Sequence, residues 1–169
     1  MTDCLASLIS PRRAVALTLA DAAGRYPRLQ PVAVDSTGLS AADAALALAI
    51  QRTAVQRWIT IEYLLDLYLR QPMARLEPTL RGLLLGGGAQ LLFMDRLPAY
   101  AVVDQTVSLA GQLVRPKARG LVNAVLRKLA AVVGDVELDA PWQPACDALP
   151  LHDGWLRLND AVLPDPANR

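Results

Sequence analysis

The chain has 169 residues, 53% of them apolar but only 5% aromatic, which suffices for one ordinary domain plus an appendage and excludes a disordered body. The core must be built from Ala, Leu and Val, and because Ala and Leu are strong helix formers the composition points to an all-α class. The net charge of +1 hides an asymmetry: residues 1–134 hold 15 basic against 9 acidic side chains, residues 135–169 hold 2 against 7, so a basic body precedes an acidic tail.

Ser10-Pro11 reads as an N-cap followed by Pro at the first helical position. A first helix then runs to about Ala23, with Gly24 as its stop and Val15, Leu17, Leu19 and Ala22 as apolar cover. Arg12 and Arg13 in its first turn oppose the helix dipole, which hints that they serve an anion or the surface. Tyr26 to Gly38 reads as a loop. Ser40-Ala41-Ala42-Asp43 resembles a capping box with Asp in the acidic place, opening a second helix to Arg57. Thr60 is placed to cap a third helix through Arg70, with Ile61, Leu64, Leu65 and Tyr68 on one face. Gln71-Pro72 ends it.

Pro78 opens a fourth helix to Met94, with Leu80, Leu84, Gly87, Gly88 and Leu91 on one face. Each interior Gly costs about 1 kcal/mol against Ala, so Gly86-Gly87-Gly88 needs a reason. Ala89-Gln90 follows, with no Lys and no Ser or Thr, so the run is no match to a phosphate loop. Close approach by a neighbouring helix is the reading. Pro98 starts a fifth helix with an inner stripe of Val103, Val107, Ala110 and Val114; Asp104, Gln105, Ser108 and Gln112 form its wet side. A basic connection, Arg115-Pro116-Lys117-Ala118-Arg119, leads into a sixth helix. This turns Leu121, Val122, Val125, Leu126 and Leu129 inward, Arg127 and Lys128 outward, and ends at Gly134. Residues 135–169 form an acidic, Pro-rich tail. In it, Leu149 to Leu158 reads as a hairpin with an Asp153-Gly154 turn, pairing Leu151 with Leu156 and Leu149 with Leu158. A lone hairpin is marginal and must lean on something.

Catalytic candidates are scarce. His152 is the one histidine, set in the predicted turn, and offers no Ser-His-Asp or Cys-His arrangement. Cys4 and Cys146 sit near opposite ends with no metal-ligand neighbours, so neither zinc nor a disulfide framework is expected. No run of about 18 apolar residues marks a membrane helix, and the start lacks the pattern of a signal peptide. A reducing, cytoplasmic compartment is the expectation. Nucleic-acid binding has better support. Three basic groups stand out: Arg12 and Arg13; Arg115, Lys117 and Arg119; Arg127 and Lys128. Folded together they would form a positive face that tracks phosphates in a salt-sensitive way. Asn123 lies one turn before Arg127 on the same face. It either joins Arg127 at a phosphate or base edge, or hydrogen-bonds across a helix pair.

Gln90-Leu91-Leu92-Phe93 with Pro98-Ala99 after it, and Val122-Asn123-Ala124-Val125-Leu126-Arg127, closely resemble the C-terminal half of the NusB-like fold. Pro11-Arg12-Arg13-Ala14 is similar to the basic start of its first helix. Asp43, Ala45 and Leu46 look like the opening of its second, and Gln71-Pro72 to Leu76 like the connection before its fourth. Order and spacing agree over Pro11 to Leu129. The spacing is most similar to the N-terminal domain of RsmB-type ribosomal RNA cytosine-C5 methyltransferases, and Asp153-Gly154 to Leu163-Pro164 resembles the linker after it.

The resemblance implies an all-α NusB-like bundle of six or seven helices over residues 1–134, with residues 135–169 as an irregular linker or tail. It implies an RNA-binding accessory domain that helps position structured ribosomal RNA. Arg12, Arg13, Arg115, Lys117, Arg119, Asn123, Arg127 and Lys128 would be the contacts. S-adenosylmethionine and a nucleophilic cysteine would belong to a separate catalytic domain; Cys4 and Cys146 match no catalytic motif of the family. The alternative is an adaptor of the transcription-antitermination type, acting through a ribosomal protein or as a homodimer. The chain departs from the family at Leu85 and Ala89, where Arg and Tyr are frequent. It departs again at Asp104-Gln105, where Asn-Glu is frequent, and the departures together lower the expected positive potential.

Overall fold

The computed structural model describes residues 10–28, 32–94, 97–139 and 141–168; Cys4 and the middle of the loop after the first helix lie outside them. Six helices come first: α1 (Pro11–Arg25), α2 (Ala41–Gln56), α3 (Trp58–Asp66), α4 (Pro78–Phe93), α5 (Ala99–Leu113) and α6 (Ala118–Val132). Three strands follow: β1 (Val133–Leu138), β2 (Ala148–Pro150) and β3 (Gly154–Leu158). Short 3-10 turns sit at Met73–Arg75 and Pro166–Asn168. No described helix is long and apolar enough to cross a membrane.

Helix α4 is the axis of the bundle. Every residue from Leu80 to Gln90 is buried, and α4 packs against all five other helices. A helix surrounded in this way must be apolar on every side, which is why its sequence shows so little amphipathic pattern. Glycine makes the closest contact possible. A Cβ on Gly82 would enter the backbone of α1 at Ala16 and stand 2.6 Å from the Ala20 nitrogen. Gly87 and Gly88 instead accept side chains, Leu126 at 2.9 Å and Ile61 at 2.7 Å from where a Cβ would lie. The packing reading of the glycine run therefore holds, and Gly82, one turn before it, makes the tightest approach of all.

Local chemistry sets the helix starts. Ser10 Oγ accepts from Arg13 N at 3.1 Å, and Ser40 Oγ accepts from Asp43 N at 3.1 Å. In the second cap the Asp43 carboxylate accepts from the Ser40 hydroxyl at 2.8 Å, a variant of the capping box.

Several boundaries differ from expectation. Gly24 lies inside α1, which ends at Arg25, where Arg25 pairs with Asp21 one turn back. Thr60 caps nothing. The chain passes from α2 into α3 through Arg57 alone, because Trp58 and Ile61 both turn into the core. Helix α3 stops at Asp66, whose Oδ1 accepts from Met73 N at 2.6 Å and ties down the following turn. The buried face of α5 is Val102, Val103, Thr106, Leu109 and Ala110, which keeps Val103 and Ala110 of the predicted stripe and leaves Val107 and Val114 half-buried at its edge. Thr106 can be buried because its hydroxyl donates to Val102 O at 2.7 Å. Leu17 and Leu121 are exposed rather than inward.

Gly134 does not end a helix; it lies in β1. The register between β1 and β3 slips between Val133 and Val136, and a Cβ on Gly134 would stand 2.7 Å from Arg157 O. A bulge glycine admits this approach. The hairpin forms, but Leu149 pairs with Leu156 and Pro150 with Trp155, two residues away from the predicted register. The turn falls one residue earlier than expected, at His152-Asp153, with Leu151 N donating to Gly154 O at 2.9 Å. Gly154 adopts φ 152° against the Glu137 backbone, a place only glycine fills easily. What the hairpin leans on is β1, in an antiparallel sheet ordered β1-β3-β2. Leu149, Leu156 and Leu158 join the helical core, and Asn159 Nδ2 donates to Ala131 O at 2.9 Å at the end of α6.

Candidate nucleic-acid interface

The eight predicted contact residues are distributed unevenly. Arg12 is half-buried at the start of α1, and its Nε donates to Gln90 Oε1 at 2.6 Å. Gln90 is itself buried and donates to Gly86 O at 2.8 Å, so the guanidinium is held by a rigid partner on the central helix. Burial pushes the Arg12 pKa down, while the nearby Asp43 carboxylate opposes that shift. Arg13, about 100° further round the helix, opens instead on a separate groove lined by Asp21, Asp35 and Thr37. Arg12 and Arg13 therefore do not act on one surface.

The connection after α5 divides too. Arg115 is exposed and paired with Glu77, the residue just ahead of α4, so its charge already faces a carboxylate. Lys117 is exposed just ahead of α6. The exposed Arg119 lays its guanidinium over Gly111, with Cζ 2.9 Å from where a Gly111 Cβ would stand. Along α6, Arg119, Asn123 and Arg127 follow at intervals of four and share a face. Asn123 Oδ1 accepts from Arg127 Nε at 3.0 Å. Its bond is thus within its own helix, not across a helix pair, and it orients Arg127. Lys128 is exposed on the adjoining row.

The last turn of α5 joins the two ends. Gln112 lines the cleft that holds Arg12, and the preceding Gly111 lies under Arg119. The Arg119–Asn123–Arg127 stripe and the Arg12 cleft thus flank the last turn of α5 and make up the candidate interface. Residues that sequence reasoning missed complete it. Gln90 fixes Arg12, and Asp43, Gln105, Ser108 and Gln112 line the cleft beside it. A lone amide in a helix whose one other long polar side chain is Arg81 was the available signal for Gln90. Leu85 and Ala89, where the family pattern has polar residues, are fully buried. Asp104 and Gln105 are exposed.

Among the described residues no group of three or more His, Cys, Asp or Glu side chains comes together. His152 stands in solvent with Asp153 3.6 Å away. Cys146 is a free, half-buried thiol.

The comparisons agree with this architecture. A solved structure of T. maritima NusB superposes with a TM-score of 0.60 at 20% identity, covering 72% of this chain and 91% of that one. Curated relatives are named ribosomal RNA small subunit methyltransferase B. That of Escherichia coli is 33% identical over 111 residues, 66% of this chain and 24% of the relative. That of Salmonella arizonae is 33% identical over 118 residues, 69% of this chain and 26% of the relative. This chain thus spans about a quarter of the length of the curated relatives it matches. The NusB family's own sequence pattern matches residues 14–131, and with five helices packed around α4 in the same fold, the chain belongs to the NusB family.

Proposed function

We propose that this chain is an RNA-binding domain that helps hold structured ribosomal RNA for a methyltransferase domain. The observation that carries the reading is the Arg119–Asn123–Arg127 stripe on α6, which lies over the last turn of α5, with the Arg12 cleft on the other side of that turn. Two guanidinium groups two turns apart, with the Asn123 amide between them, suit phosphates spaced along one strand. Lys117 and Lys128 add charge beside the stripe and the Glu77-paired Arg115 contributes at its margin, while Arg13 faces the separate groove. The names of the relatives support ribosomal RNA as the target and the cytoplasm as the compartment. Residues 1–134 would bind, and residues 135–169 would lead toward the catalytic part.

S-adenosylmethionine and methyl transfer are assigned in this reading to a different domain. The burial of the glycine run Gly86–Gly88 inside α4 by neighbouring side chains supports that assignment, since the run is not open to a ligand.

Titrating a structured fragment of small-subunit ribosomal RNA against the chain across a salt series tests the reading. Binding that weakens steeply with salt is expected; no binding at low salt, or binding without a salt slope, overturns it. A second reading rests on Ile59 and Tyr100, which stand 74% and 79% exposed. These favour an adaptor role through a ribosomal protein or a homodimer, read out by mass in solution with and without the partner.

A further inference from the structure

The cleft beside Arg12 has a chemistry that phosphate binding does not explain. It is an open space of about 360 Å³ between the start of α1, the first turn of α2 and the wet face of α5. Arg12 and Asp43 both line it. Arg12 spends Nε on Gln90, and its two terminal nitrogens make no hydrogen bond to a described residue. Asp43 Oδ2 accepts from Ser40, and its Oδ1 has no partner among the described residues. The opposite charges feel each other, yet no ion pair closes between them. A phosphate entering here would meet the guanidinium but be repelled by the carboxylate.

We propose that this cleft reads an unpaired guanine in single-stranded RNA. Guanine alone among the bases offers two adjacent donors, N1–H and the N2 amine, beside two acceptors, O6 and N7. The donors match a carboxylate and the acceptors match a guanidinium fork. Both edges are accessible only when the base is unpaired. Uracil has a single donor, and adenine and cytosine cannot give a carboxylate the N1–H and N2 amine pair. Leu46 and Leu109 supply apolar contact for the base face. Ser108 and Gln105 can donate or accept toward the ribose 2′-hydroxyl. The strand would leave the cleft past Gln112 onto Arg119 and Arg127. The inference rests on the RNA-binding reading above and adds base selectivity to it.

The test uses the whole chain and fluorescence anisotropy at low salt. The ligands are a short labelled oligouridylate and the same strand with one central G, A, C or inosine. The G strand is expected to bind about 10-fold tighter than the others, and inosine, lacking the N2 amine, to lose most of that gain. Asp43→Asn is expected to bring the G strand down to the oligouridylate level, with helical circular dichroism unchanged. Should that variant fold poorly, Arg12→Lys tests the other half of the fork. Free GMP in excess is expected to erase the G-dependent increment and no more. No preference for G in the unaltered chain, or a preference that survives folded Asp43→Asn, overturns the inference and leaves salt-dependent RNA binding intact. GMP binding as tightly as the G strand reassigns the cleft to a free nucleotide and likewise overturns it. Absence of binding to every strand and to ribosomal RNA removes the underlying reading as well.

Discussion

Arg12 Nε donates to Gln90 Oε1 at 2.6 Å, joining residues 78 apart in the chain. One bond thereby ties the first turn of α1 to the central helix and aims a cation into the α5 cleft. Gln90→Leu keeps the volume and removes both amide bonds. A hydrogen bond to a charged group is worth about 1.5–3 kcal/mol, so a loss of roughly that size is expected in denaturant unfolding. RNA affinity should fall with it, because Arg12 loses its fixed direction.

Glycines at two positions should respond in opposite directions. At Gly82 a methyl group enters α1 backbone at Ala16 and Ala20, and backbone cannot swing aside. Gly82→Ala should destabilise by about 1–3 kcal/mol or more, as overpacking does. Gly120 is exposed within α6, with nothing within 4 Å of its would-be Cβ. Gly120→Ala should stabilise by up to about 1 kcal/mol through helix propensity. Thermal melts of the two variants check the contrast.

Arg81 is buried on α4, where Nη1 donates to Ala23 O at 2.8 Å and Glu62 lies 3.8 Å from Nη2. Its Nε and Nη2 have no hydrogen-bond partner. Glu62 also accepts from Trp58 Nε1 at 2.8 Å, and Trp58 stacks on Tyr26 with centroids 5.6 Å apart. Glu62→Ala leaves a buried cation without its carboxylate and should cost about 3 kcal/mol. Arg81→Met removes the charge and keeps the length, so it should cost less. Urea midpoints of both variants decide the order.

Arg127 is oriented by Asn123 and otherwise open to solvent, whereas Arg115 already faces Glu77. Arg127→Ala should weaken RNA binding evenly across sequences and reduce the salt slope by about 1. Arg115→Ala should change the slope less. Equal changes would mean that Glu77 releases Arg115 when RNA binds.

Burial, with the Asp160 field added, raises the Tyr68 pKa above its ordinary value of 10.0. The folded state therefore keeps the phenol proton more tightly than the unfolded chain. This contribution is fully present below about pH 10 and is lost as the pH rises through the folded value. Tyr68→Phe should flatten the alkaline fall in stability, measured by denaturant unfolding on either side of pH 10.

Helix starts were the most legible part of the fold. Ser10, Ser40, Pro78 and Pro98 act through bonds and ring constraints within a few residues, so each boundary could be read locally. Faces were legible where the period was clear, as with Val122, Val125, Leu126 and Leu129. They were illegible where a polar residue satisfied itself inside the helix, as Thr106 does. Strand β1 was missed because Val133 to Leu138 has no turn signal of its own and becomes a strand only by pairing with β3.

The candidate site divides in the same way. Sequence alone determined the helical class, most cap positions, the basic turn and the Asn123–Arg127 pairing, since helix geometry converts an interval of four directly into a shared face; that Arg119 joins them follows from the helix starting at Ala118. Only the tertiary structure decided that Arg12 and Arg13 serve different surfaces, that Glu77 answers Arg115, and that Gln90 reaches across 78 residues to hold Arg12. Those outcomes depend on which helices α4 brings together, and the approach of α1 to Gly82 is set by backbone packing between segments far apart in the chain.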